Sequence, residues 1–307
     1  MNVQYLSLKE NVSFSKIISD YLAGNAALNE FHEGLPSLEE LGQRIIARDQ
    51  FDTRRDVLVS ALQAQHKSLE VRPSDSRIAE LQQKHVYTVT TGHQLCVATG
   101  PLYFIYKIAS AIKLTRDLHT RYPDKKFIPI YWMASEDHDV EEISSIHVFG
   151  KKLEWSNPGT GAVGRLSTSG IKELISELQT ILGQTEVEKK WIDILTKAYS
   201  KSTIAEATRD LVYAIFGTEE LIVIDADAAA LKQVFAPIMK QDLTTGQSYL
   251  SVSIANSQLE KLGYSLQVAP REINLFLLED QKRTRILPEH VNQQLLDRLD
   301  HQPQDFS

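Results

Sequence analysis

Two short stretches of this chain carry residue types that do chemistry. The first runs Thr91-Gly92-His93-Gln94, then Thr99-Gly100-Pro101-Leu102-Tyr103-Phe104-Ile105-Tyr106-Lys107. Gly92 and Gly100 let a backbone come close to a ligand. A helix opening after Pro101 offers free N–H groups to a phosphate. His93, Gln94, Thr99 and Lys107 add hydrogen-bonding and charged groups. The stretch is neither a Walker motif nor a G-x-G-x-x-G fingerprint. Read alone, it is equally a plain connection whose glycines serve turns.

The second stretch is Ser135-Glu136-Asp137-His138-Asp139, with Glu141 and Glu142 close behind. Five acids and a histidine in seven residues follow directly on an apolar run. Such a cluster can hold a cation, orient an amine or supply a general base. The competing reading is a solvated helix start, where the dipole favours acids. One histidine among carboxylates is not a zinc constellation, so no resident metal is expected.

These residues need elements to position them. Residues 85–91 are β-rich, 102–119 repeat apolar side chains at helical spacing, and 127–133 form a short apolar run. Strand, loop, helix and strand make a βαβ unit with parallel strands. Both stretches then fall at the carboxyl edge of one sheet, where open α/β folds bind ligands. The expected fold class is α/β, a Rossmann-like parallel sheet core with helical connecting insertions. Four segments are expected: an N-terminal helical region (1–84), the first half of the core (85–150), a helical insertion (151–217) and a continuation of the α/β core (218–307). Within the last, residues 221–225 read as a buried strand, 228–242 as a helix, and 265–268 and 272–278 as later strands.

Composition narrows the partners. The formal charge is −7 and no long basic run appears, so no nucleic acid is expected. The single cysteine, Cys96, excludes an intrachain disulfide and fits a reducing compartment. The first six residues lack the basic and apolar regions of a signal peptide. No apolar run approaches the roughly 20 residues of a membrane span. The cytoplasm is the expected compartment. Cys96 reads as a small packed residue, Asp225 and Asp227 as helix caps. Arg271 and Asn274 could reach an anionic ligand.

Taken together, T-G-H-Q at 91–94, T-G-P-L-Y at 99–103 with Lys107, and W-M-A-S-E-D-H-D at 132–139 resemble the bacillithiol biosynthesis cysteine-adding enzymes. Members usually show T-G-Q-Q, so His93 stands where they have Gln. The resemblance extends over nearly the whole chain. It implies a fold similar to the nucleotidyltransferase core of class I aminoacyl-tRNA synthetases. Residues 100–106 look like a degenerate G-P-L-H-I-G-H string, with Tyr103 and Tyr106 at the two His positions and Ile105 at a glycine. Family members continue past residue 300 into a coiled coil that mediates a homodimer. The sequence therefore reads as the N-terminal part of such an enzyme.

The activity implied is a ligase joining L-cysteine to glucosaminyl malate through an amide bond. The expected cofactor is ATP, with Mg2+. Activation as acyl-adenylate or acyl-phosphate stays open. On this reading Lys107, Asp137 and His138 form the catalytic set. Lys107 neutralises phosphate charge, and His138 accepts the amine proton. Thr91, Gly92, His93, Gln94, Trp132, Glu136, Asp139, Arg271 and Asn274 form the substrate side. Thr99, Gly100, Pro101, Tyr103 and Tyr106 form the nucleotide side. The rivals are a metal-dependent hydrolase or transferase on a sugar conjugate, and a ligand-binding remnant without turnover.

Overall fold

A computed structural model describes Gln4, residues 14–279 and residues 282–307. The amino-terminal stretch read above for a leader lies outside the described residues, apart from Gln4. In chain order the elements are α1 (Lys16–Leu22), α2 (Leu38–Arg48), α3 (Arg55–His66), α4 (Asp75–Ala79), β1 (Val86–His93), α5 (Leu102–Arg121) and β2 (Lys126–Met133). There follow α6 (Val140–Ile143), β3 (Ser145–Val148), β4 (Lys151–Glu154), α7 (Ile171–Ile181), α8 (Glu186–Ala198), α9 (Ile204–Phe216) and β5 (Ile222–Asp225). The chain continues through α10 (Ala229–Thr245), α11 (Gln247–Lys261), β6 (Phe276–Glu279), β7 (Lys282–Arg285) and α12 (Gln293–His301).

The larger of two compact units holds residues 53–240 and 275–307. Its centre is a parallel sheet of order β1-β2-β5. Parallel neighbours need a long crossover. The loop after β1 and the twenty residues of α5 supply the first. The excursion from β2 to β5 holds the β3–β4 hairpin and α7, α8 and α9. Register is fixed along the sheet. His93 pairs with Met133, and Met133 with Asp225, so the three strands finish level.

Side chains alternate across a strand, and both faces of this sheet are covered. Tyr131, Met133 and Val223 join Phe104, Ile108 and Ile112 of α5. The same cluster takes in Leu174 and Leu178 of α7, Ile192 and Leu195 of α8, and Leu211 and Val212 of α9. On the opposite face Val86, Ile128, Ile130, Ile222 and Ile224 meet Val59, Leu62, Ile78 and Leu81. Burial on both sides explains why 127–131 is apolar at every position rather than at alternate ones.

One polar link crosses this core. His66, fully buried, donates from Nδ1 to the Leu62 carbonyl at 2.7 Å and accepts at Nε2 from the Tyr213 hydroxyl at 2.6 Å. Tyr213 in turn accepts the Val223 N–H at 2.9 Å. α3, α9 and β5 are thereby tied together.

The smaller unit holds residues 1–52 and 241–274, the division falling inside α10. Leu28, Leu259 and Tyr264 form its core with Ile17, Tyr21 and Phe31. Ser37 caps α2 by accepting the Glu40 N–H. The strand expected at 265–268 does not form, since among the described residues no neighbouring strand offers it an edge. The Asn256 amide instead donates to the Val268 carbonyl at 2.9 Å, and Leu266 and Val268 stay exposed. The strand expected over 272–278 starts only at Phe276.

Burial pushes the His66 imidazole down from 6.5 to about 4. The folded state holds the ring neutral, whereas the unfolded chain takes a proton below about pH 6.5. Its contribution is complete above pH 6.5 and is lost as pH falls towards 4, about 3 kcal/mol in all. Urea unfolding between pH 7 and 4 should show this loss, and His66→Gln should flatten it.

Candidate functional site

The level strand ends bring three segments to one edge. Gln94, just past β1, donates both amide hydrogens, to Asp137 Oδ2 at 2.9 Å and to Glu142 Oε2 at 2.8 Å. Asp137 Oδ1 accepts the His138 N–H at 2.7 Å and the Asp139 N–H at 3.4 Å. Partial burial alone would raise the Asp137 carboxyl, but these donors outweigh it and hold the group below its ordinary value. His138 is half exposed. Its Nδ1 lies 3.1 Å from a terminal nitrogen of Arg283. A guanidinium only donates, so Nδ1 accepts and the ring proton sits on Nε2, 3.8 Å from Asp139 Oδ1.

A second, buried network lies behind this edge. The Lys232 ammonium, 4% exposed, meets Glu136 Oε1 at 2.5 Å, Asp227 Oδ1 at 2.9 Å and the Phe306 carbonyl at 2.5 Å. Three hydrogens have three acceptors. Asp227 also takes Arg165 in a two-bond grip, Nε at 2.5 Å and a terminal nitrogen at 2.8 Å, and Arg165 reaches the Gln304 carbonyl at 2.8 Å. That grip raises the Arg165 guanidinium above its ordinary value. Beside it, Asp225 accepts from the Ser135 hydroxyl, lies 3.7 Å from Arg209 and receives the Asp227 N–H. Asp225 and Asp227 are thus ion-pair partners, not the helix caps their spacing predicts. The helix N–H groups of Leu231 and Lys232 bond the Ala228 carbonyl instead.

Two glycines fix the loops around the edge. Gly164 donates to the Ser135 carbonyl at 2.8 Å while Val163 donates to that of Asp137 at 2.7 Å. A Cβ on Gly164 would lie 2.4 Å from the Ser135 Cβ, so only glycine permits this approach. Ahead of α5, Ala98, Thr99 and Gly100 all have positive φ, at 51°, 74° and 60°. The Ala98 N–H is held by the buried Tyr199 hydroxyl at 2.8 Å. A Cβ on Gly100 would lie 2.5 Å from that of Cys96. Strain of this kind, about 1–3 kcal/mol per residue, persists only where the surroundings impose it. Cys96 itself is buried and its thiol is pushed up to about 11, which fits a packed residue.

Each residue singled out from the sequence has a definite place. Asp137, His138, Asp139 and Gln94 share the edge. Pro101 is the N-cap of α5, with no side chain capping the helix. Tyr103 and Tyr106 are exposed on its first turns, and Lys107 stacks over the Tyr103 ring at 5.4 Å. His93 turns its edge toward Phe104 and Tyr103 and donates from Nδ1 to the Gln94 carbonyl at 3.0 Å. Thr91 and Gly92 are half-buried in β1, Gly92 level with the half-exposed Trp132. Thr99 is a left-handed residue of the strained loop. Glu136 is engaged by Lys232. Arg271 and Asn274 belong to the smaller unit. Sequence reasoning missed Lys232, Arg165, Arg209 and Gln65, whose side-chain amide donates to the Asp225 carbonyl and accepts the Asp225 N–H, both at 2.9 Å. For Lys232 a signal existed, since Lys232, Ala236 and Met239 form one buried helical stripe headed by a charge.

Ligand atoms of Asp137, His138 and Asp139 come within 4.8 Å of one another, two of the three residues being exposed. Among the described residues, no helix is long and apolar enough to cross a membrane.

Fold and edge together define an open, Rossmann-like α/β protein with a polar site at its strand ends. The family model for the N-terminal Rossmann-like domain of the bacillithiol biosynthesis protein BshC matches residues 1–307, and the chain belongs to that family. A relative from Cytophaga hutchinsonii, named "putative cysteine ligase BshC", is 40% identical over 287 residues, covering 93% of this chain and 53% of the relative. Relatives of the same name from Flavobacterium johnsoniae and Flavobacterium psychrophilum are 38% and 39% identical, covering 100% and 95% of this chain and 61% and 56% of their own. The chain thus spans between about half and three-fifths of the length of these curated relatives.

Removing one partner from a buried ion pair strands the others. Lys232→Met should cost about 3–5 kcal/mol, read as a fall in the thermal midpoint on the order of 10 °C. Gly164→Ala should cost about 1–3 kcal/mol by overpacking against Ser135, measured by the same melting curve.

Proposed function

We propose that this chain forms the strand-end half of an ATP-dependent ligase that joins L-cysteine to the amine of glucosaminyl malate. The observation that carries the reading is a charge imbalance. Asp137 and Glu142 share one neutral amide, Gln94, and make no ion pair with Lys or Arg among the described residues. Glu136, by contrast, is already matched by Lys232. A partly exposed pair of carboxylates without a counter-ion favours a cationic guest, and both substrates carry an amine. The amine-binding group is therefore Asp137 with Glu142 and Asp139, rather than Glu136.

Bound ATP, with Mg2+, would supply an activated cysteine carboxyl. The residues placed to receive its phosphates are the uncapped start of α5 and Lys107. The sugar amine then attacks that carbonyl carbon, the C–N bond forms, and the phosphate or nucleotide leaving group departs. The amine proton passes to His138. Its Nδ1 lone pair is free for this only when Arg283 withdraws its hydrogen bond, so arrival of an anionic co-substrate that draws the guanidinium away would switch the base on.

Liquid chromatography with mass spectrometry on cysteine, glucosaminyl malate and ATP, with no-ATP and no-enzyme controls, tests the reading. ATP-dependent product is expected from a full-length relative. Its absence there would remove the ligase reading. In the active protein, Asp137→Asn should raise KM for the amine at least about tenfold by removing a charged partner. His138→Gln should lower kcat by about 10²–10⁴ with the pH profile of kcat losing its acid limb.

A second reading has one observation in its favour, the proximity of Asp137, His138 and Asp139 ligand atoms. A hydrolase built on these would retain activity without ATP and lose it to a chelator.

A further inference from the structure

A cavity of about 500 Å³ opens beside this edge, walled by the glycine-rich loop 157–162, by Arg165, Leu166, Ser167 and Ser169, and by Leu278 and Lys282 of the β6–β7 hairpin. Its size falls in the range of small-ligand sites. The next two residues of the loop, Val163 and Gly164, hydrogen-bond the Asp137 and Ser135 carbonyls, so the cavity begins one residue from the candidate site. The loop turns through positive φ at Asn157, Gly159 and Gly161. Among the described residues, the N–H groups of Gly159, Thr160 and Gly161 donate to no backbone carbonyl.

Two cations line the cavity and differ in how they are held. Arg165 is fixed through Nε and one terminal nitrogen, by Asp227 and the Gln304 carbonyl. Its other terminal nitrogen has no partner among the described residues, which leaves two pre-oriented N–H donors for a ligand oxygen. The network of Arg165, Lys232, Asp227 and Glu136 is neutral overall, so what Arg165 offers the cavity is a directed donor rather than an uncancelled charge. Lys282 is exposed and forms no ion pair among the described residues, its cross-strand neighbour Glu279 being taken by Arg298. Lys282 and Arg283 are successive strand residues, whose side chains leave opposite faces. One reaches the cavity and the other reaches His138.

We infer that this cavity is the subsite for a small dicarboxylate, the malyl group of the sugar substrate, with Arg165 and Lys282 each taking one carboxylate and the loop amides completing the contacts. The assignment rests on the ligase reading for the identity of the ligand, and on the cavity alone for its charge. Two separated cations in a space well above the volume of one phosphate select two acidic groups rather than one.

Calorimetry on the 307-residue chain with malate, glucosaminyl malate, glucosamine and inorganic phosphate tests it, with amide NMR shifts locating each ligand. Both malyl compounds should bind and shift the amides of Gly159 and Gly161, and glucosamine and phosphate should not. Lys282→Glu, at an exposed strand position, should weaken malate about tenfold or more, and Lys282→Gln by less. The inference is overturned if malyl compounds shift residues 91–107 or 136–142 alone. It is equally overturned if Lys282→Glu leaves the malate Kd within twofold, or if phosphate takes the cavity in preference to malate. Lys282-dependent malate binding, with no cysteine addition by a full-length relative, would keep the pocket and remove the ligase reading, so the two failures are separable.

Discussion

An ammonium group taken out of water must find an oxygen for each of its hydrogens and a negative charge for its own. Lys232 does both, through Glu136, Asp227 and the Phe306 carbonyl. The cost of burying the ion is several kcal/mol, and only good geometry offsets it. That requirement reaches far along the chain. Glu136 follows β2, Asp227 follows β5, Lys232 opens α10, and Phe306 packs fully buried beside them. Arg165, brought in by the loop that rests on Ser135 and Asp137, binds the same Asp227. Four segments far apart in sequence therefore converge on one neutral set of two cations and two carboxylates, and the edge of the sheet takes its shape from it.

Much of the sheet was legible because the physics there is local. Short apolar or β-rich runs gave β1, β2 and β5, helical spacing gave α5, and the helical insertion expected at 151–217 holds α7, α8 and α9. Placing 91–94 and 135–142 at one edge needed only the rule that parallel strands end on the same side. α11 carries no clean apolar stripe and was not read as a helix; α12, with Leu295 and Leu299 four apart on its buried side, carried a stripe that went unread. The strand expected at 265–268 failed for a different reason. Strand propensity needs a partner edge, and none is there among the described residues.

The site was legible in membership but not in wiring. Residues 136–142 are a dense acidic string, and nothing in the string distinguishes Glu136 from Glu142. In the fold they differ completely. Glu136 is paired with a buried lysine 96 positions further on, and Glu142 shares a glutamine with Asp137. Such pairings depend on which element packs where, and α10 and the 157–170 loop set that. Asp225 and Asp227 misread as caps for the same reason. Their short side chains at a strand end suit either role, and the buried cations decide between them.

The contrast between the two acidic groups bears directly on what the edge can hold. Asp137 spends three of its roughly four acceptor positions on Gln94 and on two backbone N–H groups. Its geometry is therefore fixed before any ligand arrives, and one position remains. Fixed, partly buried and without a cationic partner, it offers a directed contact for one N⁺–H group. A surface carboxylate that moves freely would give less, since ordering it on binding costs about 0.5–1.5 kcal/mol. The neutral network behind the edge keeps that charge from being cancelled. Were Lys232 free to swing toward Asp137, one of the two unpaired carboxylates at the edge would be cancelled and an incoming amine would be held less tightly. Holding Lys232 on Glu136 and Asp227 is thus what leaves Asp137 and Glu142 available, and the same structural ion pairs that stabilise the fold set the sign of the site.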